Sequence, residues 1–435
     1  MAAPLGYGID FGTSNSAVAI AYPDGVEVLP VDGDPTLPSQ IYLHRERPHL
    51  AGVEAVRTFL TSGHERHFCD RCSLAPYGGA ETRCRQFRKA GGCNDARLLS
   101  GVKYELPSTS YSGTNSWARE WSVPDLVGIV LERLKWEADR RTGGDVRRLV
   151  LGHPVVFAGL DSEGAAAPEA GTPEGERIAR ERLRTAAHEA GFQEVVLLPE
   201  PAAALLGEER RGHLELALDF GGGTFDAAVM DGRNGPPEVT GLAGAPVGGE
   251  VLDGILFEAK VGPSLGFDHL PAWLANAMHT QSSVRLLLAD PGIPAVLDGV
   301  GGAPAEAARR ILLEGAAYDF YRSIERAKIA LSSSARAASR NAATGLDVEV
   351  RRGAFEAMIG PELNLVMDAT DRALAEAGVE DADVDRVLLT GGSSQIPAFR
   401  QRLVERFGRE RLVRQDAFTA VVRGLGAHAR ATWAA

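Results

Sequence analysis

Long apolar runs are missing from the 435-residue chain. None approaches the ~18 residues that mark a membrane-spanning helix, so a helical membrane protein is excluded. Cysteine is scarce: four residues, all between Cys69 and Cys93, which argues against a disulfide framework and for one local site. Basic charge is outweighed, 46 Lys and Arg against 58 Asp and Glu, for a formal net charge of -12. Sequence-independent nucleic-acid binding needs clustered cations and is not expected. Met1 to Tyr7 has no basic region followed by an apolar core and runs straight into a strand, so the expected compartment is the cytoplasm. What remains, 44% hydrophobic and 24% charged, is an ordinary globular composition. At about 150 residues per domain the length predicts roughly two to four lobes.

The most informative stretch is Leu214 to Met230, two apolar arms around Asp219-Phe220-Gly221-Gly222-Gly223-Thr224-Phe225-Asp226. It reads as a hairpin whose turn can touch a ligand. Glycines let backbone N–H groups approach a bound group with no Cβ in the way, which suits phosphate oxygens. Asp219 and Asp226 would repel a polyphosphate unless a divalent cation lay between, and Mg²⁺ held through waters is the natural choice. Taken alone, the same run is equally a plain hairpin turn.

Tyr7 to Ile20 repeats the design. A strand ends in Asp10, Phe11, Gly12, then Thr13, Ser14 and Asn15 lead into a second apolar strand. Two phosphate-type hairpins in one chain are the mark of a duplicated architecture, with two lobes clasping one nucleotide.

Other segments fill in an α/β pattern. Trp121–Arg140 carries apolar residues at 3- and 4-residue steps and reads as a helix, Arg148–Pro154 as a buried strand and turn. His153, at the strand end, is read as packed or solvated and left out of the site. Gly159–Gly175 has no apolar period and reads as a loop, Glu176–Ala190 as a helix stopped by Gly191. Glu194–Leu198 is a strand, and Glu200-Pro201 opens a helix, so Glu200 stands at a strand-to-helix junction where cleft residues belong. Tyr318–Leu331 is a helix and Val384–Leu389 a strand.

Gly8 to Ser16, Asp219 to Asp226 and Leu389-Thr390-Gly391-Gly392-Ser393-Ser394-Gln395-Ile396-Pro397 resemble the first phosphate, second phosphate and adenosine motifs of the Hsp70 ATPase domain, in the actin-like superfamily. Pro199 to Ala204 resembles its connecting motif and Glu325 to Ser333 its adenine-side helix. The five arrive in the family's order. Leu151 to Phe157 and Val247 to Asp253 are similar to the short Hsp70-like chaperones of the YegD type, which lack a peptide-binding domain.

The resemblance implies an actin-like α/β fold binding ATP and Mg²⁺ in a cleft between two duplicated lobes. It divides the chain into a lobe I core (1–39, 116–212, 420–435), a lobe I outer subdomain with the cysteines (40–115), a lobe II core (213–246, 353–419) and a mostly helical lobe II outer subdomain (247–352). It places Gly12, Thr13, Ser14, Asn15, Gly221, Gly222, Gly223 and Thr224 around the phosphates, with Gly248 and Gly249 beside them. Asp10 and Asp219 hold Mg²⁺ through water, with Asp226 alongside, and Glu200 orients the attacking water. Glu325, Lys328, Ser332, Gly391, Gly392, Ser393 and Gln395 surround ribose and adenine.

Two departures follow. The family supplies a catalytic lysine just after a Gly-x-x-Ala pattern, but Gly52-Val53-Glu54-Ala55-Val56-Arg57 has none. Arg57 is then the nearest cation, and slow hydrolysis is expected. Gln395 stands where many members carry an adenine-stacking arginine, which costs about 0.5 to 2 kcal/mol of cation–π attraction and predicts weaker ATP binding. The chain stops at Ala435 with no β-rich peptide-binding segment, so the expected activity is a chaperone-type ATPase without that domain. Its protein clients and oligomeric state stay open, and the region Pro263–Ala305 is where a private partner would bind. A sugar kinase of the same superfamily and a nucleotide-dependent scaffold or filament protein are the alternatives.

Cys69 and Cys72 form a C-x2-C pair, and Cys84 and Cys93 have eight residues between them. Four thiolates match a structural Zn²⁺ site in number and type; an iron–sulfur cluster would use the same four, and four unligated thiols are the remaining reading. Zinc is predicted: elemental analysis of protein purified without chelator should find it in stoichiometric amount, and metal-free protein would refute it.

Overall fold

The computed structural model describes residues 3–62, 66–67, 93–111, 113–116, 119–159, 167–207, 212–288, 290, 292–416 and 418–434. Two mixed sheets form its frame, and they share one topology. In the first, the strands run in the order Glu194–Pro199, Arg148–His153, Gly6–Phe11, Asn15–Tyr22, Gly25–Leu29, with the short strand Leu37–Pro38 also on Asn15–Tyr22. In the second the order is Leu412–Arg414, Arg386–Thr390, Leu214–Phe220, Phe225–Asp231, Glu238–Ala245. Each has a central antiparallel hairpin, a third antiparallel strand on one side and two parallel strands on the other. The duplication expected from the two hairpins is thus carried through five strands per sheet, in an α/β fold of the actin-like kind.

The helices obey their local signals. Val123–Thr142 begins at Ser122, whose hydroxyl accepts from the Asp125 N–H (3.1 Å) while Asp125 accepts from the Ser122 N–H (2.7 Å). This capping box starts the helix two residues later than the apolar period alone suggests. Gly143, at φ 72°, ends it in the left-handed region that glycine adopts without strain. The Thr172 hydroxyl accepts the Gly175 N–H (3.1 Å) and starts Pro173–Glu189 three residues ahead of expectation. The outer part of the second lobe is largely helical but also holds the hairpin Arg336–Asn341/Leu346–Arg351, which periodicity did not reveal.

Between the sheets lie two helices, Glu200–Leu206 and Ala420–Trp433. Their buried residues Ala202, Ala203, Leu205, Val421, Leu425 and Ala429 share one apolar cluster with Val150 of the first sheet and Ala217, Ala228 and Leu388 of the second. Contact here depends on absent side chains: a Cβ on Gly424 would lie 1.7 Å from the Ala203 carbonyl oxygen, and one on Gly8 2.4 Å from the Gly426 nitrogen. This crossing joins the two sheets through one shared apolar cluster.

Gly424→Ala is therefore expected to lower stability by about 1 to 3 kcal/mol through overpacking, read as a lower urea midpoint. An unchanged midpoint would contradict the close crossing.

Candidate active site

The two glycine turns face each other. A Cβ on Gly223 would fall 2.4 Å from the Thr13 hydroxyl and one on Gly222 3.0 Å from the Ser14 hydroxyl. Each turn is pinned from behind. The Ser39 hydroxyl donates to the Gly12 carbonyl (2.8 Å), and the Ser393 hydroxyl and Gly249 N–H both donate to the Gly221 carbonyl (3.0 Å each). Gly248 packs on the backbone of Gly222 and Gly223 and stands outside the cleft wall, supporting the second turn.

Between the turns opens a cleft of about 560 Å³. It is lined by Asp10, Gly12, Thr13, Ser14 and Asn15 from one lobe, and by Asp219 and Gly221 to Thr224 from the other. Glu200, Gly249, Glu325, Lys328, Ser332, Gly391, Gly392, Ser393 and Gln395 line it too. Asp226 is buried behind this surface: its Oδ1 accepts the Val155 N–H (2.8 Å) from the other lobe and its Oδ2 accepts the Thr224 hydroxyl (2.7 Å). Lys328 Nζ donates to the Gly249 carbonyl (2.6 Å) and to Asp253 (2.7 Å), and Glu325 pairs with Arg322. His153 is packed: its Nδ1 meets the Pro154 carbonyl at 2.7 Å, its ring stacks on Phe157, and burial pushes it down to about 4.

One cleft residue escaped sequence reasoning. Lys103, buried in the 3-10 turn Val102–Glu105, donates to Glu200 Oε1 at 2.8 Å and lines the cleft. Arg57 lies on the exposed side of the helix Val53–Ser62, away from the cleft. The position after Gly52-Val53-Glu54-Ala55 holds no lysine, and an ammonium reaches the cleft from a different position. A signal was present, because all but Lys89, Lys103, Lys135, Lys260 and Lys328 of the 46 basic residues are arginine, and two of these five line the cleft. Similarly, Gln395 does not leave its corner without a cation, since Arg414 donates to Gln395 Oε1 at 2.7 Å and lines the same wall.

The electrostatics are those of crowded acids. Burial, then the Glu200 carboxylate, raises Asp10 to about 7 and Asp226 to about 7, and raises Asp219 well above the usual carboxylate range. Burial alone would depress the Lys103 amine; Glu200 and Asp10 hold it above its ordinary value. A divalent cation would relieve the same crowding. Among the described residues no three His, Cys, Asp or Glu side chains converge to ligate an ion directly. The all-oxygen set around Asp10 and Asp219 fits Mg²⁺ that keeps its waters. Cys69, Cys72 and Cys84 lie outside the described residues, as does the side chain of Cys93, so the zinc and iron–sulfur readings find no support here.

Comparison with known proteins agrees with this geometry. The family model described as "Hsp70 protein" matches residues 6–261 and 315–431. Curated relatives include the chaperone protein DnaK of Thermosipho melanesiensis, 24% identical over 432 residues, covering 96% of this chain and 57% of the relative. DnaK of Thermosipho africanus is 24% identical over 431 residues (95% and 57%), and that of Thermotoga petrophila 24% over 410 residues (93% and 55%). The chain spans just over half the length of these relatives.

The acid cluster makes a pH prediction. A carboxyl raised to about 7 keeps in the folded state a proton that the unfolded chain releases near pH 4, so its contribution to stability falls as pH rises from about 4 through 7. Buried His153 has the opposite sign at the acid end, so the readout is a difference. In chelator and without nucleotide, Asp226→Asn should become progressively more stable relative to wild type from pH 5 to pH 8. A constant difference in melting temperature would contradict the shift.

Proposed function

Because the chain belongs to the Hsp70 family, we propose that it is a chaperone-type ATPase that hydrolyses Mg·ATP in the cleft between its lobes. The observation that carries this reading is the Lys103–Glu200 pair, 2.8 Å apart and buried, at the point where Asp10, Asp219 and the two glycine turns meet. N–H groups of both turns, with the Thr13 and Ser14 hydroxyls, suit phosphate oxygens. Asp10 and Asp219 would hold Mg²⁺ through its waters, and the ion, when bound, offsets charge on the phosphate chain.

This chain's own groups then divide the work. Glu200 accepts a hydrogen bond from the attacking water and aims it at the terminal phosphorus. Lys103, donating to Glu200 Oε1, keeps that carboxylate oriented and offsets charge gathering on the transferred phosphoryl oxygens. Such catalysis is positioning and electrostatic stabilisation, which is what phosphoryl transfer chiefly needs from a protein. With a lysine already in the cleft, the slow rate expected from its loss no longer follows. Hydrolysis would alter what holds the turns together, and the crossing of Glu200–Leu206 with Ala420–Trp433 would pass the change to the outer surfaces, where a client or partner protein binds.

Steady-state turnover tests the reading. Wild type should hydrolyse ATP only with Mg²⁺ present, and Asp219→Asn, Glu200→Ala and Lys103→Ala should each lower kcat by about 100-fold or more. A variant that turns over like wild type, or phosphate transfer from ATP to a sugar in a hexose panel, would contradict it.

A further inference from the structure

Of the eight large hydrophobic side chains exposed among the described residues, two line the cleft: Ile329, 58% exposed, and Phe418, 50% exposed. Solvated apolar groups inside a polar cleft call for a flat apolar part of the ligand. Both lie away from the phosphate turns. Ile329 follows Lys328 on the helix Ala317–Leu331, and Phe418 stands over the adenosine-type turn, its ring 3.8 Å from where a Gly392 Cβ would be. Gly392, exposed and without a side chain, sets nothing against that ring edge, and the ring stays half exposed.

Phe418 is also held in place. The Asp416 carboxylate accepts the Phe418 N–H, the Thr419 N–H and the Thr419 hydroxyl, each at 3.0 Å, at the start of the helix Ala420–Trp433. An aromatic side chain presented on a fixed backbone loses little freedom on stacking. Arg414, donating to Gln395 at 2.7 Å, adds a cation at the rim of the same wall.

We infer that Phe418 is the stacking platform for the purine ring of the bound nucleotide, with Ile329 closing the opposite side of the base pocket. This assignment rests on the ATP reading above and deepens it: this cleft grips the base by an aromatic and an aliphatic surface. The stack replaces the cation–π contact that Gln395 does not make.

The test compares Mg·ADP with Mg·tripolyphosphate, which has the phosphates but no base, by titration calorimetry on the full chain. Phe418→Ala should raise the Kd for ADP about two- to tenfold and leave that for tripolyphosphate unchanged. Phe418→Trp should bind ADP like wild type, with an emission change on adding ADP and none on adding tripolyphosphate. Unaltered ADP affinity in Phe418→Ala, or an equal loss for both ligands, would overturn the assignment while leaving the ATP reading intact. Wild type that binds tripolyphosphate but not ADP, or neither, would sink that reading and this inference with it.

Discussion

Four carboxylates, Asp10, Glu200, Asp219 and Asp226, are gathered around a single ammonium, Lys103, where the lobes meet. Such a cluster is costly. Buried acids with too few cations must take up protons or a metal ion, and the upward shifts of Asp10, Asp219 and Asp226 express that cost. The rest of the structure serves to hold these groups together despite their repulsion. Asp10 and Asp219 sit at the ends of equivalent strands in two equivalent sheets, Glu200 at the mouth of a helix pressed between the sheets, and Lys103 on a short turn from the outer part of the first lobe.

Coupling follows from the same arrangement. Asp226 belongs to the second sheet but accepts hydrogen bonds from Val155 and Val156, which follow a strand of the first. Above the cleft, the outer parts also touch: the Ser100 hydroxyl reaches the Gln281 carbonyl at 3.4 Å, and a Cβ on Gly101 would meet the Ser282 hydroxyl at 1.7 Å. The two sheets are joined through the glycine-mediated crossing of Glu200–Leu206 and Ala420–Trp433, where no side chain cushions the approach.

Much of this was legible in the sequence because its carriers are local. A glycine run between apolar arms announces a turn, a Pro after Glu200 announces a helix start, and repetition of the hairpin announces the second lobe. Lys103 was not legible by those means. It lies on a single 3-10 turn with no apolar period, and its partner Glu200 is 97 residues away in the chain. Only the rarity of lysine among the basic residues pointed to it. Arg414 and Phe418 escaped for a related reason, since each reaches the cleft from outside the motif it completes. The 262–314 stretch, which the family model does not match, folds as a run of helices, from which Gln281 and Ser282 reach the cleft.

The most direct test is diffraction from crystals grown with Mn²⁺ and a non-hydrolysable ATP analogue. The account predicts an anomalous metal peak between Asp10 and Asp219, with the triphosphate lying across both glycine turns. Nucleotide bound elsewhere, or metal held away from these two carboxylates, would contradict it.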